Sequence, residues 1–216
     1  MLARNIANPY PVKVFHPILE DSLFRELRAE FPSPQDMPLM GGVGYKRSIS
    51  DGKRGGWDEM LQGRPAWASF YRDLIKTGVL LEFAKSQFDV LNVAGDIKQR
   101  VELSLMPSDG GNIEPHPDTA KKLVTLVIYL ADDDWKPEWG GAFSMVIPQV
   151  KVDPKKGYPR IGFGDVTLAQ EIPFRPNTAV FMERSERSFH AVYPLTAPAG
   201  RDRRSITVNF IGRATA

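Results

Sequence analysis

The chain has no cysteine, only three histidines and little net charge of either sign. Without cysteine there is no disulfide, no thiolate metal site and no thiol nucleophile, so any metal must be held by nitrogen and oxygen. No hydrophobic stretch reaches the roughly 18 to 20 residues needed to cross a bilayer. Met1 to Asn8 lacks the apolar core of a signal peptide, so a cytoplasmic location without a membrane partner is expected. The net charge is +2, and Lys and Arg are scattered, with local groups at Lys53-Arg54 and Arg201 to Arg204. No basic stripe alternates with aromatics, so nucleic acid is not an expected partner. There is no internal repeat and no low-complexity segment, and oligomeric state is left open.

What is present is enough for one core. At 216 residues and 42% hydrophobic content, a single domain over 1–216 is expected, with a helical support over 1–97 and a strand-rich core over 98–213. Val12 to Phe15 reads as an edge strand. Asp21 or Ser22 can cap a helix whose Leu23, Phe24, Leu27 and Phe31 share a face, and Pro32 stops it. Residues 33–63, rich in Gly, Pro and Ser, read as one long loop, with Tyr45, Lys46, Arg47, Arg54 and Trp57 as candidate substrate contacts weighed against ordinary loop roles. Trp67, Phe70, Tyr71, Leu74 and Ile75, then Leu80, Phe83, Ala84, Phe88 and Leu91, repeat at helical spacing and mark two amphipathic helices whose aromatics are core.

After Gly95 the period changes from 3.6 to 2. Strands are predicted over 99–106, 113–118, 123–130, 142–147, 166–174, 178–182, 189–193 and 203–211, separated by Gly-, Pro- and Asn-containing turns. Eight short strands behind helices predict a mainly β, α+β fold: a double-stranded β-helix, or jelly roll, with the N-terminal helices packed on one sheet.

Chemistry concentrates in three places. In His116-Pro117-Asp118 the alternation of an extended segment turns the imidazole and the carboxylate toward one object. His190 can complete a two-histidine, one-carboxylate set, which leaves coordination positions open and suits non-haem Fe(II) and O2. In the last strand Arg203, Ser205, Thr207 and Asn209 alternate with Ile206, Val208 and Phe210. The plain reading is a surface strand with its polar side in water. With helices covering the apolar side, the polar side lines a cavity instead, where a guanidinium fork beside a hydroxyl fits a carboxylate. Tyr129, on the parity of Thr125, can add a hydroxyl from a facing strand. His16 lies near the first strand and reads as structural.

The block from His116 through Tyr129, Gly140-Gly141, Pro173 to Asn177, Phe189 to Val192, and Arg203-Arg204-Ser205 resembles the Fe(II)- and 2-oxoglutarate-dependent dioxygenases, in their prolyl-4-hydroxylase-like branch. The pattern is H-x-D, a distant H, then R-x-S, here with a second gap of 203 − 190 = 13 residues. The resemblance spans residues 98 to 213. It implies that His116, Asp118 and His190 ligate Fe(II), that Arg203 with Ser205 binds the distal carboxylate of 2-oxoglutarate, and that Tyr129 hydrogen-bonds the same end, with Thr125 a further candidate for binding the co-substrate. Consumption of O2 would then yield succinate and CO2, with hydroxylation of a substrate C–H bond as the default outcome. Asp118 argues against halogenation, because halogenating relatives carry a small residue there.

The resemblance does not choose a substrate. Candidate rim residues are Lys151, Lys155, Lys156, Tyr158 and Arg160 in the 148–165 insertion, with Arg184 and Arg187. Trp135 and Trp139 fit either turn packing or an aromatic wall. The short chain favours a small molecule or biosynthetic intermediate. Against this stand a peptidyl hydroxylase, a cupin-type enzyme, for which suitably placed histidines are too few, and a non-catalytic jelly-roll ligand-binding module.

Overall fold

A computed structural model describes residues 1–40, 44–52, 56–153 and 159–213. In chain order these form β1 (Leu2–Ile6), β2 (Val12–His16), α1 (Asp21–Ala29), β3 (Leu39–Met40), β4 (Lys46–Ser50), α2 (Trp57–Gln62), α3 (Pro65–Phe70), α4 (Val79–Lys85) and α5 (Val90–Val93). The strand-rich part follows: β5 (Lys98–Met106), β6 (Ile113–His116), β7 (Lys122–Tyr129), β8 (Phe143–Pro148), β9 (Val166–Ile172), β10 (Ala179–Glu183), β11 (His190–Val192) and β12 (Arg203–Ile211). The larger sheet runs β1-β2-β10-β7-β12-β5-β4-β3 and the smaller β6-β11-β8-β9, with antiparallel pairing throughout. This is the expected jelly roll.

Two-residue alternation explains how the larger sheet serves two purposes. Val101, Leu103 and Leu105 of β5, Val124, Leu126 and Ile128 of β7, and Ile206, Val208 and Phe210 of β12 join Phe24, Leu27, Trp67, Phe70, Ala84 and Leu91 of the helices in one buried cluster. The helices therefore cover one outer face, as expected. Phe181 of β10 anchors this layer, with Phe15, Phe83 and Phe88 rings at 5.5, 5.8 and 5.8 Å. The opposite face of the same strands looks toward the smaller sheet.

Several local expectations change. Val12 to Phe15 is an inner strand, because Leu2–Ile6 pairs outside it and takes the edge. The outer strand is mostly exposed, so no hydrophobic alternation marked it. The span read as one loop contains β3, β4 and α2, whose Ile49, Trp57 and Met60 are buried in the helical core. The helix after Pro65 continues through a π-helical stretch, Tyr71–Lys76, and the next one breaks into α4 and α5. The turn at Asn177 has φ 51°, and its side chain bonds the backbone of Leu19 in both directions, at 2.9 and 2.8 Å. Asn tolerates that left-handed conformation because a short polar side chain can bond locally.

Outside the sheets, Asp132 accepts from Arg28 of α1, Arg201 and Arg204. It ties the first helix to the start of β12. Replacing Phe181 with Ala is expected to lower stability by about 3 to 5 kcal/mol through lost burial and the cavity left behind. Urea unfolding checks this, and a midpoint unchanged from wild type would remove Phe181 from its anchoring role.

Candidate active site

His116 ends β6 and His190 begins β11, and the two are direct cross-strand partners in the smaller sheet. Directly opposite positions on antiparallel strands bring side chains together, and here the ring centroids lie 4.5 Å apart. Asp118 follows two residues after His116. One ligand atom from each of His116, Asp118 and His190 lies within 4.8 Å of the others.

The surroundings fix how each group presents itself. Nδ1 of His116 bonds the carbonyl of Glu114 at 2.6 Å, and Nδ1 of His190 bonds that of Ser188 at 3.0 Å. A carbonyl only accepts, so each Nδ1 carries hydrogen and each Nε2 carries the ring's lone pair. Phe143 stacks flat on the His190 ring at 5.1 Å. Tyr10 donates to the carbonyl of Phe189 at 2.7 Å, holding the strand just ahead of that histidine. The Asp118 carboxylate accepts from Lys122 at 2.5 Å on Oδ1 and from Thr125 at 2.6 Å on Oδ2. Arg184 donates to the Asp118 carbonyl at 3.3 Å.

These contacts set the protonation states. Burial, with His190 beside it, pushes the His116 pKa down to about 3, and burial lowers that of His190. Both rings are therefore neutral near pH 7, as a metal ligand must be. Burial pushes the Asp118 carboxyl up, but Lys122 and then the two histidines more than offset this and hold it below the usual carboxylate range. Two neutral imidazoles and one carboxylate anion form a nitrogen and oxygen donor set that fits a divalent metal with positions left over for other ligands.

The same cavity, about 180 Å³, is walled by both sheets. Its floor is the row Arg203, Ser205, Thr207 and Asn209 of β12, beside Glu102, Ser104 and Met106 of β5 and Thr125 and Val127 of β7. Arg203 is 2% exposed. Its Nε donates to the carbonyl of Gly141 at 2.7 Å and its Nη1 lies 3.2 Å from Ser205 Oγ. Phe174 and Tyr129 flank the guanidinium at 4.8 and 5.2 Å. No carboxylate among the described residues pairs with it. Burial lowers its pKa, but a guanidinium stays charged in proteins. Gly141 has φ +87°, and a Cβ there would lie 3.2 Å from Arg203 Cδ and 3.4 Å from Phe174, so this position favours glycine for both backbone and space.

The residues singled out from the sequence divide cleanly. His116, Asp118, His190, Thr125, Arg203 and Ser205 line one cavity. Thr125 meets it through Asp118, and Asn209 Oδ1 lies 3.1 Å from the same hydroxyl. Tyr129 is buried behind Arg203, with its pKa pushed up to about 12 by burial, and its oxygen accepts from the Phe143 backbone at 3.2 Å. Arg204 turns outward to Asp132. Of the early loop candidates, Lys46 lines the cavity, Arg47 bonds the Met37 carbonyl, Trp57 is core, Tyr45 is exposed, and Arg54 lies outside the described residues, as do Lys155, Lys156 and Tyr158. Trp135 bonds the Gly140 carbonyl and packs on Trp139 and Phe174, which settles it as turn packing. His16 lies 3.2 Å from the Thr178 hydroxyl.

Two charged groups in the cavity were not singled out as site residues. Glu102 accepts from Lys46 at 2.6 Å and from Ser104 at 2.8 Å. A lone carboxylate opposite Val101, Leu103 and Leu105 was the available signal. Lys122 stands four residues after Asp118, a spacing that reads as unremarkable surface charge until the chain bends back.

The family model described as the 2OG-Fe(II) oxygenase superfamily matches residues 101–211, and the chain belongs to that superfamily. It is an oxidoreductase, and its cofactors are Fe(II) and 2-oxoglutarate, with O2. No curated protein sequence matches the chain. Among solved structures, a prolyl-4-hydroxylase from Pseudomonas putida is similar at 18% identity, with 94% of this chain and 92% of that one covered and a TM-score of 0.54. A prolyl hydroxylase from Trichoplax adhaerens, in complex with a hypoxia inducible factor peptide fragment, aligns at 14% identity over 93% and 83%, with a TM-score of 0.53. HygX from Streptomyces hygroscopicus, with nickel and 2-oxoglutarate bound, aligns at 14% identity over 93% and 82%, with a TM-score of 0.54. These likenesses establish the fold. No described helix is long and apolar enough to cross a membrane.

The buried neutral imidazoles make the metal-free protein sensitive to acid. Their folded pKa values lie below the unfolded value of 6.5, so the unfolded chain takes up protons first and stability falls as pH drops below about 6.5 toward 3. The lowered Asp118 pKa adds a loss of the same sign below the ordinary carboxylate range. Denaturation midpoints between pH 8 and pH 4 are expected to decline in wild type and to flatten between pH 6.5 and 5 in His116→Asn/His190→Asn. An equally steep decline in that variant would show that other groups dominate.

Proposed function

We propose that this oxygenase hydroxylates a C–H bond of a small polar molecule or biosynthetic intermediate, converting 2-oxoglutarate to succinate and CO2. The observation that carries the reading is a buried guanidinium without a carboxylate neighbour, in the same cavity as a two-histidine, one-aspartate set. The carbonyl and hydroxyl beside it leave that charge without a counter-ion, and a dicarboxylate that also reaches a metal would supply one.

In this reading His116, Asp118 and His190 hold Fe(II). Arg203 and Ser205 take the distal carboxylate of 2-oxoglutarate, and the fork geometry suits two parallel charge-assisted bonds. Tyr129 stays protonated and backs the guanidinium, while Thr125 orients Asp118. The Glu114 and Ser188 carbonyls keep the imidazoles turned the right way. When bound, iron and 2-oxoglutarate supply the activation of O2. The protein supplies placement, a cavity walled by both sheets, and protonation states already suited to the metal. A small polar substrate is supported by the cavity's size and by the charged wall of Lys46, Glu102 and Lys122, which suits a molecule with hydrogen-bonding groups of its own.

Anaerobic titration with Fe(II) and 2-oxoglutarate, read through the weak visible band of the chelate, tests the site. The band is expected in wild type and in Arg204→Ala, and is expected to be lost in Arg203→Ala at the same 2-oxoglutarate concentration. Asp118→Ala is expected to weaken iron binding by more than the roughly 10- to 100-fold typical of losing an outer-shell partner. No band in wild type would favour a non-catalytic binding module. Succinate formation stimulated by prolyl peptides but by no small molecule would move the assignment to a peptidyl hydroxylase.

A further inference from the structure

The charges that line the cavity can be matched one by one, and the tally leaves a remainder. Lys46 is matched by Glu102 at 2.6 Å, with the Ser104 hydroxyl on the same carboxylate. Arg203 has no carboxylate of its own, and on the reading above the distal carboxylate of 2-oxoglutarate neutralises it. Asp118 and the other carboxylate of 2-oxoglutarate together neutralise a divalent metal. His116 and His190 are neutral. One positive charge is left over, and it falls to Lys122, which shares the attraction of Glu102 with Lys46.

Lys122 is well placed for this to matter. Its Nζ lies 2.5 Å from Asp118 Oδ1, its side chain is 25% exposed, and it lines the same cavity as Lys46, Thr207 and Asn209. It thus stands beside the metal ligands yet remains open to solvent on one side. Once a metal and 2-oxoglutarate share the Asp118 charge, the ammonium would no longer have that carboxylate to itself. An ammonium in excess in a confined cleft favours a negative guest.

We infer that the substrate carries one anionic group, a carboxylate or a phosphate, that binds at Lys122 next to the metal site. The inference rests on the proposed oxygenase function. It names a substrate class and makes Lys122 the residue that selects it. Glu102, held by Lys46 and Ser104, forms a fixed wall that would disfavour a second negative charge on the same molecule.

Wild-type protein loaded anaerobically with Fe(II) and 2-oxoglutarate is titrated with acetate and methyl phosphate, and with acetamide and methanol as their neutral counterparts, at constant ionic strength. The perturbation of the chelate band reports binding without turnover. One or both anions are expected to bind about tenfold tighter than the neutral counterpart, the scale of a charge-assisted hydrogen bond, and the two arms tell carboxylate from phosphate. Lys122→Gln is expected to abolish the preference and Lys122→Arg to keep it. Should Lys122→Gln fail to load, the wild-type comparison decides alone. A band that forms but responds to the anions no more than to their neutral counterparts overturns this inference and leaves the oxygenase reading standing. Absence of the band in wild type overturns the oxygenase reading instead.

Discussion

Taking a charge out of water costs several kcal/mol even after the protein relaxes around it, and the cavity between the two sheets contains several such charges. Asp118 is 1% exposed and Arg203 2%. The neighbourhood of each is organised to offset that cost. Around Asp118 stand a hydroxyl, an ammonium and a guanidinium that grips the backbone. Around Arg203 stand a carbonyl, a hydroxyl and two aromatic faces. Even the tryptophan behind Phe174 belongs to this support, because it fixes the ring that the guanidinium packs on.

The two halves of the site come from different sheets for a structural reason. Histidines on β6 and β11 need only one cross-strand pairing to meet, so the two imidazoles sit in the smaller, four-stranded sheet, with Asp118 two residues beyond the end of β6. The polar row that faces it needs a long strand with neighbours on both sides, and β12 is flanked by β5 and β7 over most of its length. The helices then cover the apolar side of that row. Without them Ile206, Val208 and Phe210 would face water and nothing would require the polar side to be the inner one.

Much of this was legible in the residues. The H-x-D segment, the second histidine and the alternation of β12 each carry a local pattern that survives folding, because strand periodicity depends only on the backbone. The same alternation put Arg203 and Arg204 on opposite faces, while which face is the inner one depended on the register. Less legible was anything decided by distant partners. β1 is exposed, so it carried no pattern, and it changed β2 from edge to interior. Trp57 looked like a loop residue because the core that buries it comes from β5 and the helices. Glu102 and Lys122 have ordinary spacing in the chain. Their placement in the cavity follows from which strands lie side by side, and a single sequence does not show that.

β12 has a consequence for how this molecule can vary. Its two faces serve separate clients, the helical layer and the ligand chamber, and a two-residue repeat keeps them apart. An extra amino acid in a surface turn such as Pro198 to Gly200 is absorbed where it occurs. An extra amino acid inside the strand would rotate everything beyond it by half a repeat, placing greasy groups in the chamber and hydroxyls under the helices at once. The chamber and the helical layer thus tolerate exchanges of one side chain for another along this segment better than changes in its length.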